Sequence, residues 1–138
     1  QVYGGAMEFT QVNRDYWTRD YRYGYSVVVD EANDSPERIQ YAEGGLRKYD
    51  VVSGDVDTWS PGVTLEAAEP MFIPASESGG GEDEGYIASY IYDKNTNTSA
   101  FCLFDATNLS AGPFARVQLP VRVPVGFHGV WVPDSALA

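Results

Sequence analysis

"YIASYIYDKNTNTSAFCLFDATNLSAGPFARVQLP", Tyr86 to Pro120, decides the fold. Three β-rich runs, Tyr86–Asp93, Ser99–Ala106 and Pro113–Pro120, are separated by "KNTNT" and "TNLSAG", which are built from turn-forming residues. Upstream, "PMFI" from Pro70 reads as a short strand, followed by "SESGGGEDEG" (Ser76–Gly85), a flexible, solvated acidic loop. Such short connections join antiparallel neighbours. The block from Pro70 to Pro120 therefore reads as a four-stranded antiparallel meander, the unit of a β-propeller blade. "VGFHGVWV" (Val125–Val132) then begins a new strand.

The first half repeats the theme. Ala6–Val12 and Tyr21–Val29 read as strands, joined by the polar connection Asn13–Asp20. After the charged loop Asp30–Arg38, Leu46–Asp50 and Val56–Ser60 form a hairpin around Ser53-Gly54-Asp55. Its strand–"YD"–turn–strand pattern returns in "YIYDKNTNTSAFCLFD", which suggests equivalent hairpins of successive blades. The fold class expected is all-β: antiparallel meanders amounting to about two blades of a propeller. A partial blade covers about 1–62, a four-stranded blade about 69–120, and a closing inner strand about 125–133. Two blades do not close a ring. The chain also opens at Gln1 on strand-like residues, and so reads as a chain entered in the middle and an incomplete array of blades.

Composition narrows the function. Nine Lys+Arg against 20 Asp+Glu give a net charge of −11. A chain so acidic disfavours nucleic acid, whose binding requires Lys and Arg against phosphates. No apolar run approaches the roughly 18 residues of a transmembrane helix. Cys102 is the only cysteine, which excludes an internal disulfide and suits a reducing, cytoplasmic location. In the apolar run "SAFCLFD" it reads as a packed core thiol. "GEDEG" lacks the oxygen spacing of a calcium loop.

Three residues stand out chemically. His128 is the only histidine, set between Gly126 and Gly129. It is either a core residue with one hydrogen bond or one ligand of a metal whose other ligands lie elsewhere. Strand alternation would put it on a face with Gly126, Val130 and Val132, with Phe127 and Trp131 opposite. Glu8, between Met7 and Phe9, is either an outward-facing strand residue or a carboxylate accepting the free N–H of a ligand histidine. Glu69, before Pro70, is either a strand-entry residue or a structural carboxylate near a site.

The order of "MEFTQVN", "YRYGYS", "GGLRKYDVVSG", "WSPG", "EPMFIP", "GEDEGYIASYIYD" and "LFDATNLSAGPFARVQLPVRVPVGFHGVWVP" resembles the C-terminal part of the carotenoid cleavage oxygenase family. That family includes lignostilbene dioxygenases and apocarotenoid oxygenases. The resemblance runs from about Ala6 to Asp134. It implies a seven-bladed propeller with non-haem Fe(II) on its axis, bound by four histidines, some of them oriented by glutamates. Carried over residue by residue, it makes His128 an iron ligand through "GFHG", Glu8 a glutamate that holds a ligand histidine through "EF", and Glu69 a structural residue through "EP-x-F". The family often has Pro-Arg after "EF", Gly before "EP" and Arg after "F-x-P". Here stand Thr10-Gln11, Ala68 and Ala75.

The implied activity is Fe(II)-dependent cleavage of a carbon–carbon double bond in a carotenoid, apocarotenoid or stilbene, using O2 and giving two carbonyl products. The remaining blades would lie in the same gene or on a partner chain, and this chain alone would be inactive. The alternatives are a non-catalytic β-sheet binding module and one chain of a split enzyme.

Overall fold

The computed structural model describes residues 7–28, 44–76, 80–124 and 126–137. The charged loop Asp30–Arg38 lies outside them. Among the described residues, the strands form two antiparallel sheets. The first is a plain meander of β1 (Met7–Gln11), β2 (Tyr23–Val28), β3 (Leu46–Asp50) and β4 (Val56–Trp59). The second runs through β7 (Gly85–Asp93), β8 (Thr98–Asp105) and β9 (Pro113–Gln118). One edge of β7 carries two short strands, β5 (Leu65–Ala67) and β6 (Met71–Pro74). The expected meander is therefore present. The sequence did not mark β5, which is only three residues long.

Alternation builds the core. Along β8, Ala100, Cys102 and Phe104 point to one face, and all are essentially fully buried. Across the ladder they face Ile91, Ser89 and Ile87. This layer packs on Tyr25, Val27 and Leu46 of the first sheet, so the two sheets share one core. Two aromatic pairs stitch them together: Tyr25 on Phe72 at 5.7 Å, and Trp59 edge-on to Phe104 at 4.8 Å between centroids. Each fully buried large side chain contributes roughly 1.5–3 kcal/mol. Cys102 is the core thiol its context suggested, and burial pushes its ionisation up.

Polar contacts complete the join. Asp57 at the start of the β3–β4 return accepts the backbone N–H groups of Leu109 (2.6 Å) and Ser110 (3.1 Å) in the other sheet's last turn. The acidic loop departs from expectation. Instead of lying free in solvent, Glu82 accepts the backbone N–H groups of Arg22 and Tyr23 at 2.6 and 2.8 Å. Asp83 pairs with Lys48 at 2.5 Å. The carboxylates serve as acceptors for an opposing strand start, which a linear reading of "GEDEG" does not reveal.

The two "YD" turns share their chemistry. Asp50 accepts from the N–H groups of Val52 and Ser53, and Asp93 from that of Asn95. Their positions differ, however. The first hairpin joins the third and fourth strands of its sheet, whereas β7–β8 joins the strand beside β5 and β6 to the next one out. They are not equivalent hairpins.

A second correction concerns the closing strand expected at about 125–133. Residues 126–133 form no strand. Among the described residues no neighbouring strand offers them a ladder, and alternation therefore does not sort their side chains: Phe127, Val130, Trp131 and Val132 are all exposed. Side chains hold the segment instead. Ser99 Oγ accepts Val123 N–H at 3.0 Å, and Arg14 donates to the Trp131 carbonyl at 2.9 Å.

Candidate functional site

Two bulges build the site. Between Glu8, opposite Val27, and Gln11, opposite Tyr25, β1 has two residues facing one. The extra residue is accommodated by Phe9 at φ 53°, an uncommon value for a bulky side chain. In the second sheet, Ala67 faces Ile91 and Met71 faces Ala88. Residues 68, 69 and 70 therefore oppose only Tyr90 and Ser89. The break is satisfied locally: Ala68 N–H bonds the Tyr90 carbonyl, its carbonyl accepts the Ser89 hydroxyl, and Pro70 has no N–H to place. Glu69, at the centre of this break, is directed out of the ladder.

The two bulges meet at His128. Glu69 Oε1 lies 3.2 Å from His128 Nδ1. Glu69 Oε2 accepts the backbone N–H of Gly129. Gln11 Nε2 donates to Oε1 at 2.6 Å. Phe9 meets the imidazole edge-to-face at 5.8 Å. The Glu69 side chain is 6% exposed and that of His128 78%. A buried carboxylate needs partners, and here the partners are these donors. A carboxylate oxygen facing Nδ1 suits the tautomer in which Nδ1 is the donor. In that tautomer Nε2 is the ring nitrogen that could ligate a metal. A carboxylate on one imidazole nitrogen is the arrangement that fixes tautomer and ring orientation in metal-bound histidines. The residues present therefore fit one nitrogen ligand of a metal such as iron. Among the described residues there is no cluster of three or more His, Cys, Asp or Glu that could hold a metal ion.

The glycines beside His128 act differently. A Cβ on Gly129 would sit 2.8 Å from the Met71 sulfur, so this glycine lets the segment close over β6. A Cβ on Gly126 would meet nothing. A pocket bordered by Phe9, Glu69, Tyr90, Tyr92 and Arg122 opens beside the pair.

Of the three residues marked in the sequence, His128 and Glu69 come together. Glu8 does not join them: it pairs with Val27 in the β1–β2 ladder and is exposed. The carboxylate on His128 is Glu69. Phe9 and Gln11 were not singled out as site residues. Period-2 alternation was the available signal, since Met7, Phe9 and Gln11 are half-buried while Glu8 and Thr10 are exposed.

The family model described as retinal pigment epithelial membrane protein (RPE65) matches residues 1–133. The chain belongs to that family. Members similar to it include carotenoid 9,10(9′,10′)-cleavage dioxygenase of Crocus sativus, 32% identical over 99% of this chain. Lignostilbene-alpha,beta-dioxygenase isozyme III of Sphingomonas paucimobilis is 32% identical over 94% of it. The crystal structure of Pseudomonas brassicacearum lignostilbene dioxygenase superposes with a TM-score of 0.84 at 26% identity, covering 96% of this chain and 28% of that one. Cobalt-substituted Synechocystis ACO gives 0.83 at 26% identity, covering 95% and 26%. The chain spans about a quarter of the length of these RPE65-family relatives: 26% of the Crocus enzyme and 27% of the Sphingomonas one. Some plant relatives carry a chloroplastic designation. Among the described residues no helix is long and apolar enough to cross a membrane.

Proposed function

We propose that the intact protein carrying this chain is a non-haem Fe(II)-dependent dioxygenase. It cleaves a carbon–carbon double bond of a carotenoid, apocarotenoid or stilbene to two carbonyl products. The Glu69–His128 pair carries this reading. Within a family whose similar members are named carotenoid and lignostilbene dioxygenases, a buried carboxylate oxygen lies 3.2 Å from Nδ1 of the chain's single histidine, the placement that orients an imidazole to ligate through Nε2. His128 supplies one iron ligand, and the other histidines lie in blades outside this chain. Glu69 orients the ring and raises its basicity as a ligand. Glu8 accepts from a second ligand histidine, also outside this chain. Bound Fe(II) supplies the activation of O2. With one ligand, the 138-residue chain alone is inactive. The lone buried cysteine suits a cytoplasmic setting.

The test is product analysis. The purified intact protein, given Fe(II), O2 and a stilbene, carotenoid or apocarotenoid, should yield two carbonyl fragments by mass spectrometry. Recovery of all three substrate classes unchanged, from protein that has taken up iron, would overturn the proposal.

A further inference from the structure

Glu69 is held from two directions, and only one belongs to the segment that carries His128. From that segment come His128 Nδ1 and the Gly129 N–H. From the other sheet comes Gln11 Nε2, 2.6 Å from the same Oε1 that faces the imidazole. The β1 bulge makes this reach possible. The extra residue between Glu8 and Gln11 shifts the ladder, and Gln11 turns inward with Phe9, whose ring rests on His128. One strand thus seats both members of the pair, Phe9 against the ring and Gln11 against the carboxylate.

The chemistry of the donor matters. A carboxylate turns about its terminal bond unless donors fix it. With Gln11 on Oε1 and Gly129 on Oε2, that rotation is set, and a lone pair of Oε1 is aimed at Nδ1. An amide is neutral, so it fixes the group without cancelling the negative charge offered to the imidazole. A guanidinium in the same place would pair with that charge.

We propose that Gln11 is a positioning residue for the metal ligand: its hydrogen bond to Glu69 sets the orientation of the carboxylate that in turn orients His128. This rests on His128 being a metal ligand. It ties the ligand geometry in one sheet to β1 of the other.

The experiment uses the intact protein loaded with Co(II), whose visible ligand-field bands report the geometry of its nitrogen ligands. Gln11→Met keeps the length of the side chain and removes the donor. Co(II) affinity, measured by chelator competition, should weaken by roughly tenfold, within the range for partners that support a metal ligand. The ligand-field bands should shift. In a Glu69→Ala background the same substitution should change neither affinity nor bands further, because the group it acts through is gone. Gln11→Ala, taken through the same cycle, gives the same answer should the Met variant not fold. Wild-type affinity and bands in Gln11→Met, or an equal loss with and without Glu69, would overturn the proposal. His128→Ala separates the two levels. If it retains Co(II) at wild-type affinity, the ligand assignment itself fails. If it loses Co(II) while Gln11→Met does not weaken binding, only the role of Gln11 falls.

Discussion

Glu69 and His128 are 59 residues apart in sequence, yet a carboxylate oxygen of one lies 3.2 Å from Nδ1 of the other. A break in the strand pairing, three residues opposed to two, directs Glu69 out of its sheet. A segment without strand pairing brings His128 onto it. The pair exists because the break in one ladder lies where the unpaired segment passes.

Replacing Glu69 by Gln in the intact protein should weaken iron binding roughly 10–100-fold, as loss of a ligand's supporting carboxylate does. Glu8→Gln should have an effect of similar size through a different histidine. The two losses should therefore multiply in the double variant. Chelator competition on the four proteins checks this; a double variant no worse than Glu69→Gln alone would place both carboxylates on one ligand.

Gly129→Ala places a methyl against the Met71 sulfur. Overpacking of this kind costs about 1–3 kcal/mol, at the lower end where the obstructing group is the flexible end of a side chain. Melting temperature should fall. Met71→Ala in the Gly129→Ala background should restore part of the loss relative to additivity. Gly126→Ala, with open space around it, should leave the melting temperature nearly unchanged.

Asp50 predicts an acid-sensitive term. Two nitrogens of Arg22 and the N–H groups of Val52 and Ser53 hold its carboxyl well below the usual range. Because the folded form binds the proton less readily than the unfolded chain, this contribution is complete above the ordinary Asp range of about 4. It is lost as pH falls through the lower folded value. Denaturant midpoints measured down an acid series should fall less steeply for Asp50→Asn than for the parent. Parallel slopes would contradict the assignment.

Cys102 should resist thiol reagents in the native protein and react only on unfolding, since it is 1% exposed and burial disfavours its thiolate. Ellman's reagent with and without denaturant decides this. Phe104→Ala, which removes the partner of Trp59 from a fully buried position, should cost about 3–5 kcal/mol.

Much of this architecture was legible in the residues. The β-rich apolar run "SAFCLFD" marks β8 and its core thiol, and "YD" before a polar turn marks both hairpins because the Asp side chain caps the turn locally. What stayed hidden depended on distant partners. β5 is too short to carry a period. The bulges depend on Phe9 tolerating a positive φ and on Pro70 arriving without an N–H, neither of which a pattern of apolar and polar residues encodes. The acidic loop looked solvated because its acceptors serve β2 and β3, dozens of residues upstream. His128 was marked by its uniqueness and its glycines. Its carboxylate, Glu69, reads either as a strand entry or as a structural residue of the "EP-x-F" element, and nothing in the linear sequence joins it to a histidine 59 residues away.

The central claim is that His128 is a metal ligand held by Glu69. The most direct test is the iron content of the intact protein, with and without His128→Ala, after reconstitution with Fe(II) and removal of unbound metal. The account predicts bound iron in the parent and its loss in His128→Ala, with the variant still folded by circular dichroism. Iron retained by folded His128→Ala at the parent's stoichiometry would contradict it.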